Sequence, residues 1–344
     1  MRDFPATLPD EAALDDWMSR PSDALVSFIS TLRGPLVVLG AGGKMGPSLC
    51  VLARRAAEAA GVALDVVAVS RFSDPAVRAW LEARGVRTQT CDLMTDDLGA
   101  LPDAENVLYL VGLKFGTQQA PARTWAVNTL IPARVTERYA GSRIVALSSG
   151  NVYPLVPTGS GGSVEGDPLT PLGEYPNACV ARERLFQYGS QAHGTPGVVV
   201  RLNYATDLRY GVLVDLAQQI AAGQPVDVTM GYLNCIWQRD ANDAVIRSLA
   251  LAETPMHPLN LTGTERLSVR GLAEALAERM GRSVEIVGEE APTALLSDVS
   301  QMVDTLGEPE TPLDAVLDWT AAWVASDGPT LGKPTHFEVR DGQY

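Results

Sequence analysis

From residue 36 onward the chain alternates short, continuously apolar runs with longer stretches whose apolar residues recur at helical spacing. The runs "PLVVLG", "LDVVAVS", "NVLYLVG", "SRIVALSS" and "GVVVRLNYA" are rich in Val, Ile and Leu. Apolar at nearly every position, they read as strands covered on both faces. Between them lie helical patterns over 45–60, "PAVRAWLEARG" and 122–139. Further helices follow in "YGVLVDLAQQIAAGQPV", with a turn at Gly223, and in 266–280, "RLSVRGLAEALAERM". Such alternation predicts βαβ units and an α/β fold with a doubly wound parallel sheet. Residues 8–33 read as two short helices split at Pro21, packed outside the main domain, and 157–173 is a Gly- and Pro-rich loop. The tail "GKPTHFEVRDGQY" has no period, but Lys333, His336 and Arg340 concentrate cations in an acidic chain, so it is expected to fold over the substrate pocket.

The first strand runs into "VVLGAGGKMGPSL", which sets Gly40, Gly43 and Gly46 at a strand-to-helix turn, with Lys44 and Met45 between the last two. Glycines there let the backbone turn tightly and approach a pyrophosphate, and the helix N-terminus offers N–H donors and a positive dipole end. In the first βαβ unit this pattern predicts a dinucleotide site in a Rossmann domain. The end of the second strand discriminates between cofactors. An acidic side chain there would bond a ribose 2′-hydroxyl, whereas this chain has Ser70 and Arg71 in "AVSRFSD". A hydroxyl and a guanidinium suit a 2′-phosphate. The cofactor expected is NADP, helped by Lys44, with NAD as the alternative if Asp74 reaches the ribose instead.

The G-x-x-G-x-x-G spacing resembles the extended short-chain dehydrogenase/reductase superfamily of epimerases, dehydratases and reductases. "SSGNVY" (148–153) is similar to its strand-end serine motif, and "VEGDPLTPLGEY" to its approach to a catalytic tyrosine. "RDANDAVIRSLA" is similar to its late aspartate-led helix, and "LNLTGTERLSVRGLAEAL" to the segment after it. The resemblance spans about 36–285. It implies a helical extension over 1–34 and an NAD(P)-binding domain over 35–204. Residues 205–344 would be mainly a small discontinuous substrate lobe and tail, with 236–263 returning to the first domain. It further implies Asp92 and Leu93 beside the adenine, Ser149 bonding a substrate oxygen, Tyr175 as general acid or base, and a homodimer. The family's tyrosine is followed four residues on by a lysine that lowers the phenol's pKa. Here Cys179 occupies that position. Lys114 after the fourth strand is the preferred substitute, and Arg182 lies on roughly the same helix face as Tyr175. Two other readings stay open: a protein that binds the dinucleotide without redox chemistry, and a reactive Cys179.

Composition narrows the partners. A formal charge of −14 argues against nucleic acid and anionic membranes, leaving a small molecule as the partner. The 4 cysteines are scattered without a C-x-x-C pair and the 3 histidines lie far apart, so no metal site or disulfide framework is expected. The N-terminus shows no basic-then-apolar signal pattern, and a cytoplasmic protein is the expectation. By resemblance, dehydratases carry an acidic pair where this chain has Gly150 and Asn151, and nucleotide-sugar enzymes hold a diphosphate with an arginine near the places of Leu233 and Asn234. Asn151, Asn203 and Arg209 are then the substrate-binding candidates. The expected function is an NAD(P)-dependent oxidoreductase or epimerase acting on a hydroxyl or ketone of a sugar or sugar acid. The alternative is a non-catalytic dinucleotide-binding or regulatory protein of the same fold.

Overall fold

The computed structural model describes residues 4–113 and 119–342. Seven parallel strands form the central sheet: β1 (Leu36–Leu39), β2 (Val66–Ser70), β3 (Arg87–Thr90), β4 (Asn106–Tyr109), β5 (Arg143–Ser149), β6 (Gly197–Leu202) and β7 (His257–Leu261). Their spatial order is β7-β6-β5-β4-β1-β2-β3. The chain winds outward from β1 to β3, then crosses back to β4 and winds the other way. That reversal leaves a crevice at the carboxyl ends of β1 and β4, where doubly wound sheets bind ligands. The expected α/β class is the observed one.

Strand pairing separates two cores, because successive side chains point to opposite faces. Leu36 and Val38 join one cluster, Val37 and Leu39 the other. Helices α1 (Glu11–Met18), α2 (Asp23–Ile29) and α3 (Gly46–Ala59) are the first three of the chain, and the first two do not lie outside the domain as expected. Leu25 and Ile29 of α2 sit in the core beneath the sheet. Leu14, Trp17 and Met18 of α1 enter a further cluster that makes the second lobe. Helix α4 (Pro75–Glu82) follows β2, and α5 (Pro121–Arg138) and α6 (Glu174–His193) pack together on the other face. The second lobe is built from α7 (Val212–Ala221), α9 (Val269–Arg279) and α11 (Leu313–Ala325), while α8 (Gln238–Arg247) returns to the sheet side against α3. The short α10 (Ser300–Leu306) packs near β7.

β3 and β7 had no clear signature in the apolar pattern. Both are edge strands, paired on one side only. β3 reads "RTQT", and β7 carries Pro258, a residue confined in sheets to edges, strand starts and bulges.

Helix α6 is fixed to the sheet by a buried ion pair. Arg201 of β6 meets Glu183 at 2.9 Å, with both side chains almost wholly covered. Ser148 Oγ donates to Glu183 Oε1 at 2.5 Å, and Arg201 Nη1 donates to Tyr153 Oη at 2.6 Å. Tyr153 in turn donates to Asn260 Oδ1 at 2.8 Å. A buried pair of this kind fixes position rather than adding much stability, provided every remaining donor and acceptor is satisfied.

The tail is docked on its own chain. Thr335 donates to Asp215 Oδ2 through its backbone N–H (2.8 Å) and its hydroxyl (2.6 Å), and Phe337 is buried in the second-lobe core. Arg340 donates to the Thr293 carbonyl at 2.7 Å and to its hydroxyl at 2.6 Å. Beyond it, Gly342 lies against the backbone of Leu172 and Gly173 so closely that a Cβ on Gly342 would sit 2.4 Å from the Leu172 carbonyl carbon.

Arg201→Leu is expected to destabilise the protein by about 3–5 kcal/mol, because it strands Glu183 in the core, whereas Glu183→Leu/Arg201→Leu recovers much of the loss. Denaturant titration of both variants measures this. Deleting residues 333–344 should lower the thermal midpoint and speed amide exchange at 173–175, since the tail's backbone contacts end there. Unchanged exchange would show that the tail does not brace α6.

Candidate active site

The loop between β1 and α3 is shaped by two close approaches. Gly40 has φ +85°, and a Cβ there would lie 2.9 Å from Val111 Cγ2. At Gly46 a Cβ would lie 2.6 Å from the Ala41 carbonyl carbon, so only glycine lets α3 start against that backbone. Met45 precedes the helix and is buried, and Pro47 occupies its first turn. Beside the loop is a cavity of about 480 Å³ bordered by Gly40, Gly43, Ser70, Arg71, Asp92 and Leu93. These cofactor-site candidates therefore converge on one space, at the crevice between β1 and β4.

Arg71 is exposed at the rim of this cavity. Asp74, the alternative ribose ligand, is the N-cap of α4, with its carboxylate accepting from Ala76 N–H at 2.9 Å. Asp92 Oδ1 accepts from Met94 N–H at 2.9 Å, which tightens the turn after β3, and Leu93 is buried under the sheet. Lys44 turns the other way. Its Nζ donates to the Ala205 carbonyl at 2.7 Å and stands 4.4 Å from the Tyr210 ring centre, joining the loop to the start of the second lobe. Arg123, in the first turn of α5, borders the same cavity. Sequence reasoning missed it, and nothing in its local pattern marks it.

The second half of the site lies where β5 and α6 meet. Ser149 ends β5 and accepts from Asn151 N–H at 3.2 Å, which turns the chain away from the sheet. Gly173, with φ +92°, precedes α6 and delivers Tyr175 in its first turn. Tyr175 packs against Cys179 in a small buried cluster, and Ser149 and Cys179 both bear on the titration of its hydroxyl. Burial pushes its phenol far above the ordinary tyrosine value; Cys179 adds to that rise, and the Arg182 guanidinium opposes it. Burial likewise pushes the Cys179 thiol up. Arg182 donates to the Val111 carbonyl at 2.9 Å and to Cys179 Sγ at 3.0 Å. It therefore bridges the end of β4, at the cavity wall, to the tyrosine's helix.

Two candidate substrate residues flank this pair. Gly150 allows the exits of β5 and β6 to touch, since a Cβ there would lie 2.9 Å from Asn203 Cβ. Asn151 Nδ2 and Asn203 Oδ1 are buried without hydrogen-bond partners, one a donor and the other an acceptor. Arg209 is not brought to them. It is held by Asp15 of α1 at 2.9 Å and by Asp207 at 3.4 Å, so its charge ties the N-terminal helix to the second lobe. Lys114 lies outside the described residues. Leu233 is buried in the second-lobe core, and Asn234 accepts from Ser297 N–H at 3.0 Å and donates to the Glu265 carbonyl at 3.1 Å. Among the described residues no group of three His, Cys, Asp or Glu side chains is placed to hold a metal ion, and no helix is long and apolar enough to cross a membrane.

No curated protein matches the sequence. Solved structures resemble it over most of their length. MoeE5 in complex with UDP-glucose and NAD is 21% identical, with 86% of this chain and 99% of that chain covered at a TM-score of 0.69. A UDP-galactose 4-epimerase is 20% identical, with 85% and 99% covered and a TM-score of 0.67. The UDP-glucuronic acid 4-epimerase from Bacillus cereus in complex with NAD is 18% identical, with 85% and 99% covered and a TM-score of 0.70. At these identities the likeness is one of fold. The profile of the NAD dependent epimerase/dehydratase family matches residues 36–232, more than half of the sequence, and the chain belongs to that family.

Proposed function

We propose that the protein is an NAD(P)-dependent epimerase or oxidoreductase acting on a hydroxyl or ketone of a small polar substrate such as a sugar or sugar acid. The observation that carries this reading is the placement of Tyr175 at the exit of β5, where Ser149 ends the strand and Asn151 Nδ2 and Asn203 Oδ1 are orphaned, in a chain that also has a glycine-shaped loop with a cavity beside it. The close-approach glycines, the helix start at Gly46 and the adjoining cavity fit a dinucleotide.

When bound, the nicotinamide ring supplies a hydride acceptor or donor. The chain's own residues handle the proton and the orientation. Ser149 Oγ holds the reacting oxygen of the substrate, and Tyr175 Oη gives a proton to it or takes one from it. Asn151 Nδ2 donates to a substrate hydroxyl and Asn203 Oδ1 accepts from one, which ends their cost as unsatisfied buried groups. A substrate lacking those hydroxyls leaves both amides stranded and is rejected for that reason.

MoeE5, named above, is bound to UDP-glucose, yet two features favour a smaller substrate here. Leu233 is core, and Asn234 is engaged by backbone groups, so neither offers a cation to a diphosphate. Arg71 and Arg123 at the cavity rim support NADP over NAD, while Lys44 is directed to the second lobe. A family-type lysine is missing at Cys179, which is what favours the non-catalytic reading.

Nicotinamide absorbance, followed with free hexoses, sugar acids and their lactones beside UDP-glucose and UDP-glucuronic acid, separates these readings. Turnover is expected with a member of the first group. Turnover with the UDP-sugars alone would overturn the small-substrate reading, and cofactor binding without turnover of any compound would favour the non-catalytic one. Calorimetry should show tighter binding of NADPH than of NADH, with Arg71→Ala losing about 1.5–3 kcal/mol of NADPH affinity and most of the preference. Tyr175→Phe should leave cofactor affinity intact and lower turnover by about 10²–10⁴. Full activity in that variant would remove Tyr175 from the chemistry.

A further inference from the structure

Arg182, Arg201 and Arg239 are all buried to within a few per cent. Two of them have carboxylate partners: Arg201 meets Glu183 at 2.9 Å, and Arg239 meets Asp240 at 2.8 Å and Glu310 at 3.0 Å. Among the described residues, no carboxylate forms an ion pair with Arg182. Its partners are a carbonyl (2.9 Å) and a thiol (3.0 Å), and its Nε has none. Burying a cation without a counter-anion is unfavourable, so packing and stability do not account for an arginine here.

Its direction does. Tyr175, Cys179, Arg182, Glu183 and Phe186 share the buried face of α6. Helix side chains lean toward the N-terminus, so an arginine at 182 reaches back one turn and lays its guanidinium beside position 179. Cys179 is small enough to leave that room: its sulfur accepts from the guanidinium at 3.0 Å, and its side chain packs with Tyr175 in one buried cluster. We propose that Arg182 is the positioning residue that tunes Tyr175, its guanidinium favouring the phenolate across Cys179 and so making the tyrosine a usable proton acceptor.

The inference rests on the reading of Tyr175 as the proton-transfer group. Among the described residues, the other titratable groups around the pair are Cys179 and Glu183 on the same helix, Tyr109 from β4, whose hydroxyl is buried without a partner, and Tyr153, packed against Tyr175 and Cys179. Glu183 is held by Arg201, and Tyr153 by Arg201 and Asn260. Among the described residues, Arg182 is thus the cation that bears on the phenol. Burial works against it, and the balance between the two is what an experiment reads.

The test uses the full chain with ¹³C-labelled tyrosine, with and without NADP⁺, and the Tyr175 signal assigned by its loss in Tyr175→Phe. Titrated from pH about 7 to about 11, Arg182→Gln should raise the Tyr175 midpoint by about 1–3 units or carry it out of range, and Arg182→Lys should keep it within about half a unit. Moving the charge in Cys179→Lys/Arg182→Gln should restore it, and this double variant carries the test if Arg182→Gln does not fold. A midpoint unchanged by Arg182→Gln overturns the proposal, as does a wild-type phenol that stays neutral throughout. The measurement needs no turnover. A protein that converts no substrate can still pass it, and an active enzyme can still fail it.

Discussion

The buried pair between Glu183 and Arg201 is the constraint on which the rest of the site depends. An α-helix lying on a sheet can slide or rotate by a residue at small cost in apolar contact, because one aliphatic surface resembles the next. A carboxylate with a 2.9 Å ion-pair partner in β6 and a 2.5 Å hydroxyl donor in β5 cannot. Those contacts fix the rotation and height of α6, and they cross two neighbouring strands, so they also hold the strand ends in register. With Glu183 placed, Tyr175 is brought two turns earlier on the same face to the exit of β5, where it packs against Val152 and Tyr153. The same arginine reaches Tyr153 and the Glu165 carbonyl, so the loop leading into the helix hangs from it as well.

Around this frame the polar groups divide by satisfaction. Those that bear on architecture are paired: Arg209 with Asp15 and Asp207, Asn234 with two backbone groups, Asp215 with Thr335. Those beside the Tyr175 hydroxyl are not, and Asn151, Asn203 and Arg182 each keep a buried polar atom without a partner. Other buried atoms without partners lie elsewhere, at Asn106, Asn128 and Gln238 for instance, but the three beside Tyr175 are placed where a ligand or a change of charge could complete them during function.

The sheet and the two halves of the site were legible because they rest on local signals. Continuous apolar runs mark covered strands and glycine spacing marks a turn, whereas Ser149 and Tyr175 were singled out by the resemblance of their motifs to those of a family, at a strand end and a helix start that periodicity locates. What escaped depended on contacts distant in sequence. Lys44 looks like part of a phosphate site from its neighbours, but its ammonium donates to the carbonyl of Ala205. Arg209 looks like a free cation after a strand, yet Asp15 lies 194 positions away. The N-terminal helices look peripheral until Trp17 is found 5.9 Å from Trp319, ring centre to ring centre. Cys179 looks like damage to a catalytic helix in sequence. In space it is the gap into which the Arg182 guanidinium fits.

The loop over 157–173 shows how the second lobe comes to bear on the tyrosine. Composition marks this segment as a flexible linker, rich in glycine and proline. It is held from three directions. Val156 and Pro157 pair with Ala294 and Thr293, Ser163 bridges Ser297, and Asn260 accepts from Tyr153 while donating to the Ser163 carbonyl. At its far end Gly173 lies against the tail backbone at Gly342, and the tail is fastened to Thr293 through Arg340. Thr293 therefore braces both ends of the loop, once by strand pairing and once through the tail. A loop so anchored delivers the first turn of α6 from the second lobe as firmly as Glu183 holds its middle from the sheet. Tyr175 sits at the point where those two constraints meet, one from each half of the molecule.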